Sequence, residues 1–285
     1  MYKLKFRLTD AMTMKLPAGH RLYACRTSLN RRAATWVWAV MALLLGLSAG
    51  PAWAEEAADG DALARETLLR ADRIRFPEGG FMVDVVITTT QPDSGPDERA
   101  YRILSKGNSQ TLVQTTAPVV DRNQILLMRD RDLWAFLPNL SQPIRLPLSQ
   151  RLTGQVANGD LARANFVGDY EPKLLRKEKI DGETYQVLQL DAIDKWVTYR
   201  RVLYWVNANN FRPFKAEFYA LSGRLLKTAL YQEFHNLGGE TRPTRLVVED
   251  ALRRGNRSVL EYSNMVERDL PDKIFTKDYL KKLSR

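Results

Sequence analysis

Residues 133–170, LWAFLPNLSQPIRLPLSQRLTGQVANGDLARANFVGDY, decide how the rest of the 285-residue chain is read. The stretch opens as a strand that is apolar on both sides: Leu133, Ala135 and Leu137 project one way, Trp134 and Phe136 the other. Apolar material must therefore cover each face. Pro138, Pro143 and Pro147 then interrupt any ladder, because proline donates no N–H and fixes its own φ. From Ser149 to Tyr170 the chain carries Gly154, Asn158, Gly159, Asn165 and Gly168 with few apolar anchors, which predicts a long excursion holding at most one short helical turn. Connections longer than about 12–15 residues in a compact domain are usually functional or disordered.

On either side of this stretch the hydrophobic period is two. Phe81, Val83, Val85 and Ile87 form one apolar face of a strand. Residues 99–105 and 111–116 pair around Lys106-Gly107-Asn108, and 124–128 pairs with 133–137 across residues 129–132. Asp181-Gly182 is a two-residue hairpin signal between 174–180 and 184–190. Strands follow at 199–206, 213–220, 225–234, 244–249 and 258–266. A helix over 61–74 is expected before them, N-capped by Asp61 with Ala64, Leu68 and Ala71 on one face. A second, over 277–283, is capped by Thr276. The fold class is mainly β (α+β): a curved antiparallel sheet of about 10–12 strands forming an incomplete barrel covered by short helices.

Residues 1–54 form a leader. Arg31 and Arg32 precede the apolar run 33–47, followed by Gly50-Pro51 and the small-residue site Ala52-Trp53-Ala54, the order of a secretory signal peptide cleaved after Ala54. The alternative, a retained membrane anchor, needs roughly 20 apolar residues, and glycine and proline interrupt this run. The leader holds eight of the 43 basic residues and one of the 33 acidic ones, leaving 35 and 32. The net charge of +10 thus falls to +3, which removes the argument for a nucleic-acid partner. The single cysteine, Cys25, also lies in the leader, so residues 55–285 hold no thiol and are read as one periplasmic domain.

Catalytic chemistry finds no foothold. After the leader the one histidine is His235, and no GxSxG elbow, P-loop, GxGxxG or HExxH motif is present, so neither an enzyme, a metal nor a cofactor is expected. What the chain has in excess is apolar surface on strands. Val83, Val85 and Ile87 with the large rings Trp134, Phe136, Trp205, Phe214, Phe218, Tyr231 and Tyr262 are the candidate wall of an apolar cavity. A filled core is the competing reading for each of them taken singly.

WAFLP at 134–138, Ser149-Gln150-Arg151, NGDLARANF at 158–166 and Gly168-Asp169-Tyr170 resemble the corresponding strand and loop of the outer-membrane lipoprotein-sorting family, the LolA-like periplasmic lipoprotein carriers. The resemblance implies a half-barrel whose greasy hollow takes lipid or lipoprotein acyl chains. It also implies an inner-membrane exporter of the resistance-nodulation-division type, an outer-membrane acceptor and a monomeric carrier. By position in the loop, Arg151 and Arg163 are the counterparts of the arginine that holds the family's lid, although a solvated arginine or an ion pair with Asp160 or Asp169 suits either equally. Each methylene kept from water is worth about 0.8 kcal/mol, so two acyl chains cost on the order of 20 kcal/mol to expose and need such a carrier. The alternative on the same fold is a lipid- or lipoprotein-sensing domain that regulates a membrane signalling protein.

Overall fold

The computed structural model describes residues 52–283 apart from Asn108. Residues 1–51, with the basic flank and apolar run of the leader, lie outside the described residues. Helix α1 (Ala52–Arg75) begins well before Asp61, so that residue is inside the helix and not its N-cap. The preceding alanines and glutamates are strong helix formers and carry the helix backwards. Ala64, Thr67, Leu68, Ala71, Asp72 and Arg75 are its buried stripe, at spacings of three and four. Three of those six are polar, and they matter below. At its end Arg242, 1 % exposed, donates from Nη1 to the Arg73 carbonyl at 2.6 Å and from Nε to the Leu237 carbonyl at 3.1 Å. A cation thereby satisfies a carbonyl at the negative end of the helix.

The strands are β1 (Gly80–Gln91), β2 (Ser94–Lys106), β3 (Gln110–Ala117), β4 (Ile125–Arg129), β5 (Asp132–Phe136) and β6 (Ile144–Leu146), then the small pair β7 (Arg151–Thr153) and β8 (Val156–Ala157). After helix α2 (Asn158–Ala162) come β9 (Tyr170–Ile180), β10 (Glu183–Ala192), β11 (Arg201–Asn207), β12 (Pro213–Tyr219), β13 (Leu225–Leu237), β14 (Glu240–Asp250) and β15 (Arg257–Glu267), and helix α3 (Lys277–Leu283) closes the chain. One antiparallel sheet of 13 strands runs β6-β5-β4-β3-β2-β1-β15-β14-β13-β12-β11-β10-β9, and it does not close into a barrel. The count exceeds the expected 10–12 in part because β6 pairs with β5 between Pro143 and Pro147, where an edge strand tolerates flanking prolines. The Asp181-Gly182 turn has φ of 49° and 86°, the left-handed pair that a two-residue hairpin requires.

Two apolar clusters lie on opposite faces. The larger gathers Ala64, Leu68 and Ala71 of α1 with Val83, Val85, Ile87, Leu133, Tyr204, Phe218 and Leu260 on the concave face. The smaller packs Leu112, Leu127, Phe136 and Trp134 against Phe275 and Leu280 at the C-terminal end. The double-sided apolarity of β5 is accounted for in this way. Thr276 Oγ1 accepts the Tyr279 N–H at 3.3 Å and starts α3.

Candidate functional site

Because β1 pairs with β15 in mid-sheet, the two free edges are β6 and β9, which follow one another along the chain among the strands of this sheet. The chain between them, residues 147–169, must cross the open side of the curved sheet. Its first half is pinned to the central strands: Gly154 sits where an added Cβ would fall 2.1 Å from Thr89 Oγ1 on β1 and 2.3 Å from Ser258 Oγ on β15. The Gln155 N–H donates to Ser258 Oγ at 3.0 Å. With φ at +49°, residue 154 favours glycine twice over.

The second half is held by hydrogen bonds organised around three ion pairs: Lys227–Asp160, which joins β13 to the segment, Arg163–Asp169 within the segment and Arg75–Asp72 within α1. Asp160 accepts the Ala157 N–H at 2.7 Å, the Tyr199 hydroxyl at 2.9 Å and the Lys227 ammonium, which also donates to the Gln155 carbonyl at 2.9 Å. Arg163 grips Asp169 with two nitrogens and donates a third bond to the Asp130 carbonyl at 2.7 Å. From α1, Arg75 pairs with Asp72 at 3.1 Å and donates to the Ala164 carbonyl at 2.6 Å. The other Asp72 oxygen accepts the amides of Phe166 at 2.7 Å and Val167 at 2.8 Å. Burial pushes the Asp72 carboxyl up, while Arg75 and those two amides pull it back. The latches are not the whole balance: Gln155 Nε2 and Asn165 Oδ1 are buried with no hydrogen-bond partner among the described residues. Each such group costs about 1–3 kcal/mol when the segment docks.

Between these latches Phe166 enters an aromatic box. Its ring centroid lies 5.2 Å from Tyr204, 5.5 Å from Tyr170 and 6.5 Å from Phe218, with the Arg75 guanidinium 4.7 Å away on its face. Burial pushes the phenols of Tyr170, Tyr199, Tyr204, Tyr231 and Tyr262 up, so they remain neutral. What is left open beside Phe166 is a cavity of about 40 Å³, lined by Arg75, Asp160, Arg163, Phe218, Tyr231 and Tyr262 among others. A water takes about 30 Å³, and about 150 Å³ is needed to admit benzene. Among the described residues, α1 and the crossing segment occupy the concave side, and the opening left beside Phe166 is too small for a hydrocarbon tail.

Of the ten candidate wall residues, Phe218, Tyr231 and Tyr262 are brought together at the cavity. Val83, Val85 and Ile87 are fully buried in the main core and do not reach it. Four others lie elsewhere. Trp134 and Phe136 belong to the cluster under α3, where Lys277 stands 3.7 Å over the Trp134 ring. Trp205 faces the convex side, between Lys215 and Arg176, and donates from Nε1 to Glu178 at 3.2 Å. Phe214 packs against Tyr185 with ring centroids 4.8 Å apart and the planes tilted by 33°, because a bulge opposite Trp205 and Val206 breaks the alternation that would have turned it inward. Arg163 borders the cavity; Arg151 is exposed on β7. Asp72, Arg75, Phe166 and Lys227 were missed, although polar residues falling in the apolar stripe of α1 were a signal.

Among the described residues no group of three or more His, Cys, Asp or Glu side chains is placed to hold a metal ion, and no helix is long and apolar enough to cross a membrane. An open antiparallel half-barrel, its mouth crossed by a segment of its own chain, is the class defined by this geometry. The chain belongs to the LolA superfamily. It is similar to a LolA superfamily protein from Nitrosomonas europaea, with 61 % identity over 76 % of this chain and 98 % of that one and a TM-score of 0.74. A putative outer membrane lipoprotein-sorting protein domain from Vibrio parahaemolyticus shares the fold at 22 % identity, covering 79 % and 99 % of the two chains, with a TM-score of 0.67. So does a DUF1329 family protein from Desulfovibrio piger at 20 % identity, covering 78 % and 99 %, also with a TM-score of 0.67. A family profile described only as an uncharacterized protein matches residues 107–282. No curated protein matches the chain.

Proposed function

We propose that this protein is a periplasmic carrier of lipid or lipoprotein acyl chains, with the crossing segment closed over the box and Phe166 standing where cargo would sit. The observation that carries the reading is the aromatic box on the concave face, sealed by a segment that belongs to neither sheet edge. A segment held by a few discrete side-chain contacts can leave as a unit; a sheet strand cannot. Cargo entering the box recovers the burial that Phe166 gives up, so loading exchanges one apolar occupant for another at a modest net cost.

The leader supports a periplasmic setting, and the lipoprotein-sorting name of the Vibrio parahaemolyticus relative supports the cargo class. The exchange is binding without bond chemistry, so no enzymatic step is invoked. An inner-membrane exporter of the resistance-nodulation-division type and an outer-membrane acceptor would stand at the two ends of the route.

Native mass spectrometry of gently purified protein should show co-purifying lipid or acylated protein. A fluorescent acyl probe should bind wild type and lose affinity by about tenfold or more in Phe218→Asp, which places a charge in the box. A clean apo mass under several lipid conditions, or unchanged uptake by a folded Phe218→Asp variant, would overturn the reading.

A further inference from the structure

Three hairpin turns neighbour one another at one end of the sheet: β10–β11 (residues 193–200), β12–β13 (220–224) and β14–β15 (251–256). Their strands are consecutive in the sheet order, so the first and third turns lie about 20 Å apart at the usual strand spacing. Each carries large apolar side chains into solvent: Ile193 is 49 % exposed, Trp196 62 %, Leu221 84 % and Leu252 53 %. None is needed for the core, and four such residues on three adjacent turns exceed the scattered exposure of an ordinary surface.

The charge on these turns is one-sided. Lys195, Arg200, Arg224, Arg253 and Arg254 outnumber the acidic residues there, Asp194, which is itself paired with Arg131, and Asp250, whose carboxylate is taken up by the Leu252 and Arg253 amides. Lys195 lies 4.9 Å over the Trp196 ring, which keeps the indole and a cation side by side at the surface. The pattern stops at the β1–β2 turn, which abuts Gly255 through Pro92 and carries Asp93 instead. Between the first two turns runs a groove of about 340 Å³, and its walls Val197, Thr198 and Tyr199 also line the cavity beside Phe166.

We propose that these three turns dock on a bilayer surface rich in anionic lipid, with Trp196, Leu221 and Leu252 entering the headgroup region and the arginines neutralising it. An indole and branched aliphatics flanked by basic residues suit the boundary between acyl chains and headgroups. Docked in this way, the groove and the cavity wall it shares face the membrane. The proposal needs no cargo and is independent of the carrier reading.

The test is co-sedimentation of the purified protein, without acyl probe, on vesicles of phosphatidylcholine alone or with phosphatidylglycerol added. Binding should appear with phosphatidylglycerol, weaken with salt, and shift the Trp196 emission to the blue. Arg253→Glu with Arg254→Glu should lower partitioning by about tenfold or more, as should Trp196→Asp with Leu221→Asp. Leu175→Asp, an equally exposed change on β9, should leave it unaltered. All of these positions are exposed, so thermal midpoints should stay near wild type. Absence of binding to anionic vesicles, or equal binding by both double variants, would overturn the assignment, as would turns that bind only a protein partner. Acyl-probe uptake measured in parallel separates failure here from failure of the carrier.

Discussion

Asp72 meets Arg75 with one oxygen and the Phe166 and Val167 amides with the other, so this side chain joins α1 to the crossing segment. Asp72→Asn leaves a guanidinium that is 8 % exposed without its counter-charge and should cost about 3–5 kcal/mol in urea unfolding. Pairing it with Arg75→Met should recover part of that loss, because it removes the buried charge that Asp72→Asn leaves unpaired. Arg163 carries a related lesson. The sequence suggested a gate, but its pair with Asp169 is 9 % and 4 % exposed, so Arg163→Leu should lower stability and loosen the segment together. On the convex face the Arg102 guanidinium holds Asp84 below the usual carboxylate range. That pair supports the fold fully above the ordinary carboxylate pKa, and its contribution is lost as pH falls through the lowered value. Arg102→Leu should therefore flatten the acid limb of a stability-against-pH curve. Such pairings depend on which residues meet in space, and a one-dimensional charge pattern does not carry that information.

Element existence was far more legible than element orientation. The alternation in β1, the Asp181-Gly182 hairpin and the two-faced apolarity of β5 each follow from local chemistry, and the structure has all three. Phe214 and Trp205 were misplaced for separate reasons. A bulge is invisible in the sequence, and Trp205 is buried by Lys215 and Arg176 side chains folded over it rather than by the core. The crossing segment was recognised as an excursion, but not as the filling of the concavity. Two substitutions probe that role. Gly154→Ala puts a methyl group against Thr89 and Ser258 at a positive φ and should cost more than about 1 kcal/mol. By unseating the β7–β8 pair it should speed acyl-probe entry. Phe166→Ala should cost about 3–5 kcal/mol yet raise probe affinity, because the box is emptied in advance. Lower affinity in a folded Phe166→Ala variant would mean that Phe166 supports the wall and does not occupy the cargo position.

At the scale of the whole molecule, the pairing of β1 with β15 places both free edges at β6 and β9 and makes residues 147–169 the stretch of chain that joins them. No local pattern announces that pairing, since the two strands are far apart in sequence and meet only when the sheet curls. It has a dynamic consequence. The strands β1 and β15 exchange hydrogen bonds in mid-sheet and can open only with global unfolding, whereas the crossing segment can lift once the Lys227–Asp160 and Arg131–Asp169 pairs and its hydrogen bonds to Asp72, Arg75, Asp130, Tyr199 and Ser258 release. Adding acyl probe to wild-type protein should therefore accelerate amide hydrogen exchange within 158–169 while the amides of β1 and β15, which exchange only through global unfolding, slow. Ordinary stabilisation by a ligand would slow exchange everywhere, because a molecule bound to the native state alone raises the free energy of every opening. Slowing in the crossing segment on loading would therefore place the probe on a closed molecule, and Phe166 would not be what it displaces.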